Sequence, residues 1–284
     1  DRRQRQMCIR DRDRMAQTAL NSMKNLMENQ MATAHNLSNL VTPGYRQDVI
    51  TDFSALYLNR NKGLEPRIVA GREIGKFSIE QGMMENTNNP TDIAIEGNGY
   101  FVIQPQNGTP AFSRRGDLNI NENGELLDGA GNLVLDAGMQ PIVIPAFREI
   151  NISSQGEILI QPIGAEPGAL PVNVANIATF VPNGDNTLKK SIDGHIRFAE
   201  VVNANGEAEN IPIEPNQQGK IVSGFLEKSN VNAIEEMVNT IDQMRKFEMH
   251  VKLIQMTEEL DTAGTSLMRP VSYTHLRAHE TSID

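Results

Sequence analysis

The spacing of apolar residues changes twice along this chain, and that change limits the folds open to it. From Met15, the positions Leu20, Met23, Met27, Met31, Ala34 and Leu37 recur every three or four residues, as one face of an amphipathic helix requires. Thr42, Pro43 and Gly44 end this segment, because proline cannot continue a helix and glycine supplies the turn. Residues 47–81 are mixed, polar and broken by Gly63, Pro66, Gly71 and Gly75, which reads as an extended connector. Across 82–222 the apolar runs are short (93–95, 100–103, 133–135, 142–144, 158–160) and separated by turn pairs such as Asn107–Gly108, Asn123–Gly124 and Asp128–Gly129. Past Gly224 the helical spacing returns with Val231, Ile234, Met237, Ile241, Met244, Phe247, Val251 and Ile254. The expected fold is therefore mixed and mainly β. A hairpin-rich all-β domain lies between N- and C-terminal amphipathic α-helices, which cover their apolar stripes by pairing as a coiled-coil-like unit or by packing against neighbouring subunits.

Composition removes several function classes. At 284 residues the chain can bury a core without staples, and its single cysteine, Cys8, has no intramolecular partner. The formal net charge of -10, with no lysine or arginine stripe and no tryptophan, argues against binding a phosphate backbone. The five histidines show no metal-ligand spacing, so neither a metal nor a cofactor is expected. No apolar run is long enough to insert in a membrane, and no secretory signal is visible. Residues 1–12 and 270–284 break the pattern beside them. The strings MCIRDR and VSYTHLRAHET resemble translated sequencing-adapter read-through, so both flanks are set outside the fold. Without them 20 basic and 32 acidic residues remain.

Catalysis finds little support. Asp92 and Glu96 could pose as a carboxylate pair, but on a strand four residues span roughly 13 Å at about 3.3 Å each. Gly97 and Gly99 lack the third glycine and following helix of a phosphate loop, and read as hairpin turns. Arg114 and Arg115 read as an exposed, solvated basic pair. The sequons at Asn36 and Asn151 are too short to carry weight. The expectation is a protein that is not an enzyme.

Four strings carry a resemblance. Residues 34–46, AHNLSNLVTPGYR, include Thr42, Gly44 and Tyr45. Residues 89–101, NPTDIAIEGNGYF, include Asn89, Pro90, Asp92, Gly97, Gly99 and Phe101. Residues 112–118, FSRRGDL, include Arg114 and Gly116, and residues 224–232, GFLEKSNVN, include Ser229, Asn230 and Val231. In this order they resemble the signatures of the flagellar rod and hook proteins, with His35 and Ser38 replacing the usual asparagine and alanine. The resemblance implies a structural subunit of the basal-body rod, in the periplasm, exported by the flagellar type III apparatus and partnered by copies of itself and other rod proteins. It also implies inner-tube helices at 13–46 and 223–269 around which the domain at 82–222 forms the outer layer. The length and the Leu267-Met268-Arg269 ending favour a proximal-rod member, with a distal-rod member as the alternative and a β-rich adhesin behind both. The assembly contacts are then expected from Met23, Met27, Met31, Asn36, Leu37 and Asn39 on the first helix. On the second they are expected from Ile234, Met237, Ile241, Met244, Phe247 and Val251. Asn36 and Asn39, three apart, would bond either across subunits or to the local backbone.

Overall fold

The computed structural model describes residues 2–49, 54–58, 67–71, 75–106, 108–164, 166, 169–183, 187–191, 193–199, 201–202, 208–209 and 212–267. Asn107, Met268, Arg269 and the flank 270–284 lie outside these residues, as does most of the expected connector between 50 and 74. Helix α1 (Arg2–Ser38) opens the chain, and helical backbone runs through the segment set aside as a flank. Nineteen strands follow among the described residues. They are β1 (Ser54–Leu58), β2 (Arg67–Gly71), β3 (Met84–Asn86), β4 (Ile93–Glu96), β5 (Tyr100–Gln104), β6 (Ala111–Ser113), β7 (Leu118–Ile120), β8 (Leu126–Asp128) and β9 (Leu133–Val134). Next come β10 (Phe147–Ile152), β11 (Glu157–Pro162), β12 (Val172–Asn176), β13 (Thr179–Phe180), β14 (Leu188–Lys190) and β15 (Ile196–Phe198). The last are β16 (Val201–Val202), β17 (Ala208–Glu209), β18 (Lys220–Ser223) and β19 (Phe225–Glu227), before helix α2 (Ala233–Leu267).

Every strand pairing is antiparallel. The largest sheet runs β14-β15-β6-β5-β9-β8-β7, with β13 also on β5, and a second has the order β10-β11-β12. Strand β5 is the hub, and successive side chains on a strand point to opposite faces. Phe101 accordingly joins a core with Ile95, Leu126, Ile142, Ile158, Ile177 and Ile221. Tyr100 and Val102 enter a second core on the other face, where Phe112 stacks on Phe180 at 4.8 Å and meets Phe198 edge-on at 5.1 Å.

One turn design recurs five times, at 121–125, 128–132, 136–140, 153–157 and 191–195. In each, the first residue's carbonyl accepts the N–H of the fourth, and its own N–H donates to the carbonyl of the fifth. The fourth residue has positive φ and is glycine in four cases, with Met139 at 62° as the exception. The side chains of Asn121, Asp128, Asp136 and Ser153 also accept backbone N–H groups of their own turns, which is why Asn, Asp and Ser recur there. The expected turns near Asn123–Gly124 and Asp128–Gly129 are two of these. The Gly97–Gly99 stretch is not a hairpin: it links β4, which pairs with β18, to β5, which pairs with β6, β9 and β13.

The described residues form two compact units, the distal helical stretches 2–29 with 241–267 and residues 30–240. Helix α2 begins at Ala233 rather than near 223 because Gly224, at φ 79°, turns the chain into β19 first. The helix is then capped by the Asn232 side chain, which accepts the N–H of Ile234 at 3.1 Å. Along α1 the buried positions are Ala19, Leu26, Ala32, Thr33 and Asn36, and along α2 they are Glu236, Gln243 and Thr257, with Phe247 and Ile254 half-buried between them. Both sets mix small, polar and apolar side chains, and on α2 the spacing of seven, four, seven and three keeps them on one face. The apolar stripe lies elsewhere: Met27, Met31, Ile234, Met237, Ile241 and Met244 are 51–75% exposed. The stripes therefore do not bury each other: the inward faces are mixed in polarity, and the stripe residues are the exposed ones.

The candidate functional site: a junction built from four motifs

The turn that follows α1 carries Gly44, Tyr45 and Arg46. Gly44 sits at φ 67°, and a Cβ there would lie 2.3 Å from the Arg114 carbonyl carbon, so only glycine lets these segments approach. Its N–H donates to the Glu227 carbonyl at 2.7 Å. Gly116 is tighter still, with space for a Cβ only 1.7 Å from the Ile93 carbonyl oxygen, and its own carbonyl accepts the Ile93 N–H. These close approaches deliver three charged side chains to one place.

Glu227 is the centre of that place. Its Oε2 accepts Arg114 Nε at 2.8 Å and Nη2 at 2.6 Å, while Oε1 faces Arg46 Nη2 at 3.0 Å and accepts the Gly82 N–H at 2.9 Å. All three charged side chains are 1–2% exposed. A carboxylate between two guanidinium groups leaves one surplus positive charge, and burying charge is costly unless it is met by dipoles. Backbone carbonyls provide these: Arg114 Nη1 donates to Gly97 at 2.8 Å and to Gly99, and Nη2 to Ile95 at 3.1 Å. The Tyr100 ring also faces the Arg114 guanidinium at 5.8 Å. Burial pulls the Arg114 pKa below its ordinary value, and the Glu227 carboxylate opposes that shift.

A second polar knot ties the helix roots to this centre. Asn36, which is fully buried, donates to Glu236 Oε1 at 2.8 Å and to the Asp48 carbonyl, and accepts the Asp48 N–H at 2.7 Å. Gln47 Nε2 donates to the same Glu236 oxygen, and the Gln47 N–H to the Asn230 side chain at 2.7 Å. Lys190 reaches in from β14 to Asp48 at 2.6 Å and to the Arg46 carbonyl, with its ammonium 4.0 Å from the Tyr45 ring centre. Burial lowers the Lys190 pKa, partly offset by Asp48. The Tyr45 hydroxyl donates to Asn36 or Asp48 at 3.2 Å, and burial with the adjacent Asp48 charge holds its pKa well above the phenol range.

The residues expected from sequence divide in three. The motif residues converge: Asn89 Nδ2 donates to Asp92, the Gly224 N–H to the Asp92 carbonyl, Asn230 to the Glu80 carbonyl, and the Ser229 hydroxyl accepts the Val231 N–H. Thr42 bonds Asn39, the Pro90 carbonyl accepts the Ser223 hydroxyl, and Phe101 and Val231 are buried. The six stripe residues face outward, with Leu37 at the edge of exposure and Met23, Phe247 and Val251 half-buried. Two expectations need correction. Arg114 is not solvated but the most enclosed cation of the junction, and only Arg115 is partly open, paired with Asp117 at 2.7 Å. Asn36 is sealed against α2, so it has no face to offer another subunit, whereas Asn39 bonds the local His35 carbonyl. The carboxylate pair set aside on spacing is not formed either: Asp92 accepts from Asn89, and Glu96 meets Lys220 at 2.6 Å. Sequence reasoning missed Arg46, Glu227 and Glu236 as members, although all three stand within or just after the quoted strings; Arg46, beside the closely packed Gly44, had a local signal, and Glu227 and Glu236 had none.

Residues 222–267 match the family described as flagellar basal body rod FlgEFG protein C-terminal, and residues 94–160 match the flagellar hook protein FlgE/F/G D1 domain. The chain is 28% identical to the flagellar basal-body rod protein FlgF of Salmonella typhimurium over 260 residues, covering 90% of this chain and 98% of that protein. It is 29% identical to FlgG of Borreliella burgdorferi, covering 89% of this chain and 97% of that protein. Against FlgF of Buchnera aphidicola subsp. Baizongia pistaciae it is 30% identical, covering 88% of this chain and 95% of that protein. Together with four motifs folded into one junction, near-full-length likeness at this level places the chain in the flagellar basal-body rod protein family.

Proposed function

We propose that this structural rod protein is a proximal-rod subunit of the FlgF type, joining neighbouring subunits through the outward apolar face of its terminal helices to build the shaft that carries motor torque. The observation that carries the reading is the stripe itself. Ile234, Met237, Ile241 and Met244 on α2, with Met27 and Met31 on α1, leave large apolar side chains in water on helices whose other face is turned inward. Exposed apolar surface of that extent marks a contact site, and contacts that repeat without closing build a helical filament. Within this reading α1 and α2 pair by heptad-type packing through their inward positions, such as Leu26 on α1 and Gln243 on α2. Methionine's flexible thioether suits a surface that meets slightly different neighbours around an axle.

The FlgF assignment is supported by coverage. The chain spans 95–98% of three FlgF proteins and 88–97% of five FlgG proteins. Export through the flagellar type III apparatus, partnership with other rod proteins and the absence of catalysis belong to the same reading. Ile241→Asp tests it. The variant should fold, with unchanged β-sheet circular dichroism, and be exported, yet leave cells non-motile and without flagella; normal swimming would overturn the axle reading. A tag on this chain in isolated basal bodies should appear at the proximal end of the rod, and a distal position would assign it to FlgG instead.

A further inference from the structure

Methionine supplies much of the outward face. Met27 and Met31 on α1 and Met237, Met244, Met249 and Met256 on α2 are each 51–65% exposed. By contrast Met23, Met84 and Met139 are half-buried. A thioether is apolar and polarizable, whereas its sulfoxide is polar and chiral, so oxidation turns a contact made by dispersion and burial into one that must desolvate an S–O dipole. Where this happens at several places on one face, the face stops being apolar. Leucine at the same positions would keep the apolar character and lose the chemistry.

We propose that these six methionines form an oxidant-responsive modification site that blocks incorporation of the unassembled subunit; the proposal rests on the stripe being the assembly surface. The oxidant is hydrogen peroxide or another two-electron peroxide. The thioether sulfur's lone pair attacks one peroxide oxygen, the O–O bond breaks, an S–O bond forms, and water leaves after proton transfer. Sulfur loses two electrons and the peroxide gains them. Enzymatic reduction of the sulfoxide restores the thioether, which makes the block reversible.

Met83 provides an internal control. It is 75% exposed and stands ahead of β3, in neither helix and outside the stripe, so it oxidises as readily without altering the stripe. The experiment uses the full chain in a host that lacks its own copy and lacks methionine sulfoxide reductases. Rod assembly is held back, the unassembled pool receives a peroxide pulse, the peroxide is quenched, and assembly is released. Peptide mass spectrometry then compares sulfoxide in isolated basal bodies with that in the unassembled pool. Sulfoxide at the six positions should be depleted at least fivefold in the basal bodies while Met83 sulfoxide is equal in both. Equal sulfoxide at the six positions in both fractions would overturn the switch. A companion pair separates this from the parent reading: replacing all six by Leu should retain flagella and abolish the peroxide block, whereas replacing all six by Gln should prevent flagella without oxidant. Flagella on the all-Gln cells would sink the assembly surface itself, whereas failure of the sulfoxide measurement alone would leave that surface standing.

Discussion

Gly116 faces the Ile93 carbonyl so closely that one added methyl group would sit 1.7 Å from the oxygen, and that oxygen belongs to a paired strand. Nothing flexible can give way there, so Gly116→Ala should cost about 3 kcal/mol or more, the upper range for overpacking. Gly164→Ala offers the contrast. Its φ is 93° but it has open space around it, so the cost should be about 1–2 kcal/mol of left-handed backbone strain alone. Urea unfolding midpoints of the two variants check the order, and equal losses would show that the Gly116 approach is not rigid. Tyrosine ionisation gives a pH test at the same scale. Tyr45 and Tyr100 both have pKa values raised above 10.0, in each case chiefly by burial. A raised folded pKa means that their contribution is fully present below about pH 10 and is lost as pH climbs further, because the unfolded chain ionises there first and is favoured. Ultraviolet titration should therefore show a delayed fraction of the four tyrosines, ionising together with alkaline unfolding.

At the scale of elements, each terminal helix has two faces of opposite use. Leu26, 9% exposed, is the large apolar residue of the inward row of α1, and Met31, 65% exposed, lies on the outward one. Leu26→Asp should lower helical circular dichroism and cost about 3 kcal/mol, since it buries an unpaired carboxylate. Met31→Asp should leave stability within about 0.5 kcal/mol. Identical behaviour of the two would mean that the helix has no inward face. The existence of both helices was legible in the three-to-four spacing, but their bounds and their orientation were not. Periodicity marks which residues share a face, and it is silent on whether that face meets the same chain or another one. The turn residues of the β domain were legible for a different reason: Asn, Asp, Ser and Gly act on their own backbone, so their effect needs no distant partner.

For the molecule as a whole, the junction couples the helix roots to the β domain through one carboxylate. Arg114→Ala removes an ion pair and three carbonyl contacts from a site closed to water, and should destabilise residues 30–240 by about 3–5 kcal/mol. Lys220→Ala, which breaks an ion pair whose side chains are 67% and 59% exposed, should cost less than about 1 kcal/mol. Thermal unfolding of both variants decides the matter, and a mild Arg114→Ala would mean that water or a neighbouring group replaces the guanidinium. By itself the sequence determined the mixed, mainly β class, the helices at both ends, several of the turn positions and the family, because each of these is written in local spacing or in contiguous strings. The tertiary structure alone decided that Arg46, Arg114 and Glu227 share one buried site, that Asn36 is sealed by Glu236, and that the apolar stripes face outward. Those facts join residues separated by as many as 200 positions. What a charged or polar side chain contributes is set by its burial and its partner, and neither is a property of the string in which it stands.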